Sequence, residues 1–149
     1  MSLENPSHAV IAGLVRRAAD GNGAFMNGDI TRWLALTRPA PDFSLMSPFG
    51  GWTATGFDAS PERLAAMART FTEATTSLKV VATYRTADMV VLAVVERQHG
   101  VVGGLPPQDW SLRVTLVYRR TDADWELVHR HADPLVKGIS LDQLAEIAR

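Results

Sequence analysis

The stretch LRVTLVYRRTDADWELVHRHADPL, residues 112–135, decides the fold. Both of its halves alternate apolar and polar residues with a period of two, which is typical of β-strands that bury one face. The short polar segment 121–124 separates the halves and predicts a hairpin between them. We therefore expect two long strands to lie side by side in an antiparallel sheet.

The register of this hairpin predicts which sheet face the histidines occupy. If the strands pair directly across the segment 121–124, His129 lies opposite Leu116 and His131 lies opposite Val114. Both histidines would then share the face that the helices cover. A slip of one residue would reverse this assignment, because side chains alternate between the two faces.

The remainder of the chain predicts helices first and long strands afterwards. Helix starts are indicated by Asn5-Pro6, Asp29 and Ser60-Pro61, and the glycines of residues 21–28 weaken or end the first helix. From residue 78 onward the pattern changes to strands, with a hairpin turn at Ala87-Asp88. This order predicts an α+β fold in which helices pack on one sheet face.

Composition limits the class of protein. A chain of 149 residues is long enough for one domain, so residues 1–149 are expected to form a single unit. A net charge of −1 argues against nucleic acid as a partner, because phosphate binding requires a surplus of Lys and Arg. The chain has no cysteine, which excludes disulfides, a thiol nucleophile and cysteine-based metal sites.

The N-terminal stretch and the hydropathy pattern predict a cytoplasmic protein. The stretch MSLENPSHAV, residues 1–10, has no basic region followed by an apolar run, so no signal peptide is expected. No segment approaches the roughly 18 uninterrupted apolar residues that a membrane span requires. Neither a membrane nor a nucleic acid is therefore expected as a partner.

Three segments resemble the nuclear transport factor 2-like superfamily. They are GDITRWLAL (residues 28–36), FSLMSPFGG (residues 43–51) and the stretch 112–135. Within the superfamily they are most similar to SnoaL-like, ketosteroid-isomerase-related domains, and the ending W-x-L-V-H-x-H is also similar to the association domain of calcium/calmodulin-dependent kinases. The resemblance implies a cystatin-like cone, in which a curved antiparallel sheet wraps around N-terminal helices and leaves a pocket at its open end.

The resemblance also implies a homodimer that forms through the outer sheet face. In the expected register this face carries Thr115, Val117, Val128 and Arg130. The ketosteroid isomerase mechanism is not implied, because no Tyr and acid of this chain match the catalytic trio of that enzyme residue by residue.

His129, His131 and Glu96 are the candidate catalytic residues. A histidine titrates near neutral pH and suits general acid–base chemistry, and an inward-facing Glu96 would complete an acid/base pair. Two alternatives remain open: the histidines are satisfied structural groups, and Glu96 forms a surface ion pair with Lys79. A metal site is a further alternative, since two histidines on one strand face can share an ion with Asp133 or Glu96.

The candidate pocket wall consists of aromatic and apolar residues from loops, helix ends and inner strand positions. Such residues supply a large apolar area for a small hydrophobic molecule. They are Trp33, Met46, Phe49, Trp52, Trp110, Leu116 and Tyr118.

Three classes of function follow from these residues and from the resemblance. The first is a small-molecule-binding SnoaL-like domain, as a cofactor-independent isomerase, cyclase or hydrolase acting on a hydrophobic or polyketide-like substrate. The second is a non-catalytic ligand-binding or oligomerisation module that resembles the kinase association domain. A metal-dependent oxygenase or lyase is a third class, and it requires three protein ligands around one ion.

Overall fold

Long strands with alternating burial form the centre of the computed structural model, which describes residues 4–149. Residues 1–3, which belong to the stretch that argued against a signal peptide, lie outside the described residues. The helices are α1 (His8–Met26), α2 (Ile30–Thr37), α3 (Pro61–Thr70) and α4 (Leu141–Ile147). The strands are β1 (Pro39–Met46), β2 (Ala54–Thr55), β3 (Phe71–Arg85), β4 (Met89–Val102), β5 (Gln108–Asp109), β6 (Leu112–Arg120) and β7 (Trp125–Pro134).

One curved, open sheet contains all the described strands and confirms the expected α+β fold. Its order is β2-β1-β7-β6-β4-β3, and β5 pairs with β4. The pairs are antiparallel except for β1 and β7, which are parallel. In the part of the chain that the structure describes, no helix combines the length and the apolar character that a membrane span needs.

The helix starts follow local capping chemistry. The side chains of Asp29 and Ser60 accept hydrogen bonds from the backbone three residues ahead, which confirms the expected caps of α2 and α3. The prediction of Asn5 as the cap of α1 is wrong. Ser7 caps this helix instead, because its hydroxyl accepts from the N–H of Val10 and satisfies a donor of the first turn.

Helix α1 continues through Gly21 and Gly23, and Gly21 lies against α2. A Cβ at Gly21 would lie 3.2 Å from the hydroxyl of Thr37 and 3.6 Å from the ring of Trp33. The chain turns only at Gly28, which has φ +78 and leaves no room for a side chain against the carbonyl oxygen of Ala68. Gly21 therefore allows α1 and α2 to pack closely.

The inner face of the sheet, which the first helices cover, carries the hydrophobic core. Helix α1 contributes Leu14 and strand β1 contributes Phe43, each almost completely buried. The long central strands supply most of the other core residues: Val90, Leu92, Val94, Val114, Leu116, Tyr118, Trp125, Leu127 and Ala132.

A β-bulge at Val128 changes the register of β6 against β7. Tyr118 pairs with Leu127 as expected, but the next pair is Val117 with His129. Strand β7 therefore has one extra residue, Val128, between two successive pairs with β6. Each later residue of β7 lies on the sheet face opposite to the predicted one. The predicted pairing of the histidines with inner-face residues is wrong: His129 and His131 lie on the outer face.

Candidate functional site

Glu96 lies on the inner face of β4 and is 1% exposed. Its cross-strand partner on β3 is Leu78, whereas Lys79 lies opposite Val95. The alternative of a surface ion pair between Glu96 and Lys79 is therefore wrong. Regular alternation along β4 points Glu96 inward together with Leu92 and Val94, and a bulge on β3 between Val80 and Ala82 shifts the register by one residue, so that Leu78 and not Lys79 lies opposite Glu96.

Arg130 neutralises this buried carboxylate. Its Nη1 and Nη2 donate to the two carboxylate oxygens of Glu96 at 2.9 and 2.7 Å, and the Arg130 side chain is 21% exposed. Burial lowers the pKa of Arg130, but attraction and hydrogen bonds to Glu96 outweigh it and hold the pKa above its usual value. A two-pronged pair of this kind compensates the cost of burying both charges.

Tyr118 presents a phenol to the same region. The residue is 2% exposed, and burial raises its pKa to about 12, so the hydroxyl keeps its proton at neutral pH. No residue between 4 and 149 forms a hydrogen bond with this hydroxyl. Over the same range, no side-chain polar atom is both sealed from solvent and without a partner. The hydroxyl of Tyr118 therefore keeps a small contact with solvent.

A second polar pair on the inner face connects α1 to the sheet. Nδ2 of Asn22 donates to Oε1 of Gln98 at 2.8 Å, and Nε2 of Gln98 donates to the carbonyl oxygen of Trp110 at 2.9 Å. Asn22 and Gln98 are both buried. The amide groups of Asn22 and Gln98 are thus hydrogen-bonded to each other and to Trp110, so they stabilise the interior and connect β4 to α1.

The candidate catalytic residues are divided between the two faces of the sheet. His129 is half-buried on the outer face, where its Nδ1 lies 2.7 Å from the hydroxyl of Ser44. His131 is exposed, and its ring centroid is 6.5 Å from that of His129. Glu96 lies on the inner face, so the structure does not assemble these three residues into one site.

The arrangement does not favour the metal alternative. Nowhere in residues 4–149 do three His, Asp or Glu side chains come together as a potential ligand set. Both oxygens of Asp133 accept hydrogen bonds from Arg113, at 2.7 and 2.9 Å, and these bonds hold the pKa of Asp133 below its usual value. Glu96 is separated from the histidines by the sheet.

The residues of the predicted pocket wall do not converge on one place. Trp33 is half-buried between the rings of Phe25 and Phe57, at centroid distances of 5.4 and 4.9 Å. Leu116 and Tyr118 lie on the inner face and are buried. The other predicted wall residues are more exposed: Trp110 is half-buried, and Met46, Phe49 and Trp52 are exposed.

Two surface cavities lie elsewhere on the molecule. One of about 660 Å³ lies at the hairpin-turn end of the sheet, between α1 and Trp125. Another of about 470 Å³ lies between α1 and β3, beside Thr76 and Ser77. Among the residues that line these two cavities there is none of the seven predicted wall residues.

Sequence reasoning missed the residues that carry the inner polar groups. Arg130 was expected on the outer face, and Asn22 and Gln98 were not singled out as site residues. Arg130 follows a histidine in an alternating strand, so only the bulge reveals its direction. Buried Asn and Gln residues give no local signal, because each is satisfied by a partner 76 positions away in the chain.

Comparison with known proteins agrees with this geometry. A family model described as a SnoaL-like domain matches residues 18–136. Among curated proteins, none matches the chain significantly.

Solved structures share the fold at low sequence identity. A nuclear transport factor 2-like protein from Cytophaga hutchinsonii is 17% identical, with 87% of this chain and 99% of that chain covered and a TM-score of 0.66. An uncharacterised protein with a cystatin-like fold from Caulobacter vibrioides is 16% identical, with 93% of each chain covered and a TM-score of 0.61. A putative calcium/calmodulin-dependent protein kinase type II association domain from Thiobacillus denitrificans is 19% identical, with 91% and 100% covered and a TM-score of 0.60.

Proposed function

Because the chain belongs to the SnoaL-like domain family, we propose that it binds a small molecule on the inner face of its sheet, at Tyr118 and beside the Glu96–Arg130 pair. The unpartnered hydroxyl of Tyr118 is the observation that carries this proposal. A buried polar group without a protein partner costs free energy unless water or a ligand satisfies it. Tyr118 therefore supplies a ready hydrogen-bond donor to a molecule that enters this space.

The surroundings of Tyr118 define the chemistry of the ligand. Its inner-face neighbours Leu116 and Leu127 are apolar and buried, so the body of the ligand is a small hydrophobic group. The protonated phenol favours a ligand oxygen that accepts a hydrogen bond, such as a carbonyl. A hydrophobic molecule with one oxygen acceptor fits both features.

Ligand binding is better supported than acid–base catalysis. A general base needs a free lone pair within reach of the substrate proton. Glu96 is 1% exposed and both of its oxygens are held by Arg130, and the two histidines lie on the outer face of the sheet. An isomerase, cyclase or hydrolase would have to use Glu96 as its base from this buried, paired position.

Binding of two matched probes tests the proposal. 2-Acetonaphthalene carries one oxygen acceptor, and 2-ethylnaphthalene has nearly the same shape without it. We expect the ketone to bind more tightly, and we expect Tyr118→Phe to weaken ketone binding about tenfold while leaving the hydrocarbon unchanged, as for one hydrogen bond of roughly 1.4 kcal/mol.

Tyr84→Phe is the matched control, because Tyr84 is the only other tyrosine of the chain and is 63% exposed. Calorimetric titration of the wild type and both variants measures the two affinities. The proposal fails if neither probe binds, or if Tyr118→Phe and Tyr84→Phe behave alike.

We also propose that two copies of the chain associate through the outer sheet face. At the centre of this face lies the outer patch, formed by the half-buried apolar residues Val91, Ala93, Val95 and Val117 together with the exposed Thr115. Charged groups surround it, since Arg119 contacts Glu126 and Asp42 at 2.9 and 2.8 Å. An apolar centre with a polar rim is typical of protein interfaces.

The corrected register changes the membership of this face. Thr115 and Val117 remain, His129 and His131 join them, and Arg130 leaves because it points inward. The similar protein from Thiobacillus denitrificans is described as an association domain, which supports assembly as a second role for the scaffold.

Analytical ultracentrifugation tests the outer patch. Ala93→Arg places a charge at its centre, opposite Thr115, and we expect it to weaken self-association at least tenfold, since a buried unpaired charge is costly. Arg63→Ser, on the exposed surface of α3, is the control that should leave association unchanged. A wild-type chain that stays monomeric at high concentration would contradict the proposal.

A further inference from the structure

Helix α4 displays an apolar stripe that no other residue from 4 to 149 covers. Leu141, Leu144 and Ile147 are 85%, 50% and 74% exposed, and α4 buries none of its residues. The three side chains recur at the spacing of one helix face. Asp142 and Glu146 lie on the opposite face, so α4 is amphipathic but has no surface to pack against within residues 4–149.

A helix of seven residues needs a packing partner to persist. Isolated helices shorter than about 12–15 residues are marginal in water, even with good capping. Ser140 and Gln143 form a complete capping box at the start of α4, which defines where the helix begins. The cap and the apolar stripe together indicate a helix that is stabilised by docking.

A second uncovered apolar feature lies at the tip of the β1–β2 hairpin. This tip, residues 47–53, exposes Phe49 to 81% and Trp52 to 100%. Gly50 and Gly51 both have positive φ and turn the chain between the two aromatic residues. Exposed aromatic side chains that lie close together usually mark an interaction site.

The two features leave the sheet at the same end. Strands β1 and β7 are parallel, and Met46 pairs with His131. The tip begins one residue after Met46, and the segment leading to α4 begins at Leu135, just after β7 ends. Within residues 4–149, α4 does not pack on the tip of its own chain, although both follow strands that end at the same side of the sheet, and a second copy offers the same tip to α4.

We propose that α4 exchanges between two copies of this chain, with the stripe of Leu141, Leu144 and Ile147 packing on the Phe49–Trp52 tip of the second copy. Two aromatic side chains bury about 300–500 Å². The helix stripe contributes an equal area to each contact, and a dimer has two such contacts, so the total buried area is about 1,200–2,000 Å². That area is what a stable interface needs.

The exchange of α4 is a different property from ligand binding, and it does not require the contact through the outer patch. The tip and α4 lie at the strand ends, whereas the outer patch lies at the middle of β4 and β6. Both contacts can form in the same dimer, but each makes its own prediction. Substitutions at Ala93 report on the outer patch, and substitutions in α4 report on the exchange.

Cysteine cross-linking tests the exchange directly, because the natural chain contains no cysteine. Trp52→Cys and Leu144→Cys chains are purified separately, mixed and oxidised mildly. We expect a covalent dimer that forms at least tenfold faster in the mixture than in either variant alone. Trp52→Cys mixed with Glu146→Cys is the matched control, since Glu146 lies on the opposite face of α4, and it should cross-link slowly.

The double variant with both cysteines in one chain separates the possible outcomes. Reciprocal exchange predicts a covalent dimer from this variant, whereas an intrachain disulfide at every protein concentration would show that α4 folds onto its own tip and would overturn the proposal. No rapid cross-link in either experiment would also overturn it. The Trp52→Cys and Leu144→Cys mixture is repeated with Ala93→Arg in both chains, which weakens the outer patch. Cross-linking that persists there comes from the α4 contact and does not depend on the outer patch.

Truncation after Gly138 provides a second measurement. We expect the midpoint of thermal unfolding of a dilute sample to stay within a few degrees, because α4 buries nothing in its own chain. The dissociation constant of the dimer should rise at least tenfold. An unchanged dissociation constant would overturn the exchange.

Discussion

Arg130 neutralises a charge that would otherwise be buried alone. Glu96 is 1% exposed and lies among inner-face residues of the sheet, and only the guanidinium of Arg130 forms an ion pair with it in residues 4–149. Burying a charged pair and burying a lone charge have very different costs. The stability of the inner face therefore depends on both members of this pair being present.

Arg130→Met should lower the free energy of unfolding at pH 7 by about 3–5 kcal/mol, because it leaves the Glu96 carboxylate without a partner. The double variant Glu96→Leu/Arg130→Met should return to within roughly 1 kcal/mol of the wild type, since it removes both charges. Urea unfolding of the three proteins measures the difference. A double variant as unstable as the single one would contradict this account.

Tyr118 predicts a loss of stability at high pH. Burial raises its pKa to about 12 in the folded chain, against an ordinary value of 10.0. The protonated phenol is favoured in the folded state, so this contribution is complete below pH 10 and is lost as the pH rises from 10 to 12. The loss is about 2–3 kcal/mol.

The measurement compares the wild type with Tyr118→Phe. Between pH 10 and 12 the free energy of unfolding of the wild type should fall relative to that of Tyr118→Phe, and the variant should lack the late rise of tyrosinate absorbance. If both proteins lose stability in parallel over this range, Tyr118 is not the group responsible.

At the scale of the element, the bulge of β7 sets the direction of every residue after Leu127. One extra residue, Val128, lies between the pairs Tyr118–Leu127 and Val117–His129. The bulge keeps Leu127 inside and also turns Arg130 and Ala132 inward, where they meet Glu96 and the core. In a regular strand, either Leu127 or the two residues Arg130 and Ala132 would have faced outward.

Deletion of Val128 should be tolerated, because it removes only the bulged residue. The other residues of β7 keep their partners on β6 and stay on the same sheet faces. We expect a loss of about 1–3 kcal/mol, the ordinary range for a single change. Deletion of Val117 on the neighbouring strand is the control. It removes a regular position, turns one end of β6 to the wrong face and should prevent folding.

Dispersion of amide signals in NMR spectra, together with thermal unfolding, distinguishes the two deletions. If the two deletions reduced signal dispersion and thermal stability equally, the bulge would not be what decides which residues of β7 face inward.

At the scale of the whole molecule, Arg17 connects α1 to two other elements. Its Nε donates to the carbonyl oxygen of Leu36, its Nη1 to Asp124 and its Nη2 to the carbonyl oxygen of Trp125, at 2.7, 3.1 and 2.9 Å. One guanidinium thus joins α1, the end of α2 and the β6–β7 turn. Only the planar, five-donor group of arginine can satisfy three acceptors in this way.

Arg17→Met should lower the free energy of unfolding by roughly 3 kcal/mol, because two carbonyl groups and a carboxylate lose a charged donor together. Arg16→Met is the control, since Arg16 is exposed and its substitution should change stability by less than about 0.5 kcal/mol. Chemical denaturation of both variants provides the comparison. Similar losses from the two variants would argue against the proposed role of Arg17.

Much of the fold could be predicted because its signals are local. Alternation with a period of two in residues 112–135, together with the caps Asp29 and Ser60, depends on neighbours within a few positions. The α+β class follows from these elements, and the resemblance of three segments to a known superfamily supplied the cone. The inward direction of Glu96 was one of two alternatives that the sequence left open.

The sequence by itself therefore determined the first three helices and most of the long strands, because capping and periodicity act over a few residues, whereas α4, β2, β5 and the first residues of β3 were not predicted. Only the tertiary structure decided that Arg130 points inward and the two histidines outward. A bulge interrupts the alternation of faces by one residue, but the sequence of residues 125–132 also fits a regular strand, so the pattern does not reveal the bulge. What makes the bulge favourable is the buried carboxylate of Glu96, 34 positions earlier in the chain, which only the folded sheet brings within reach of Arg130.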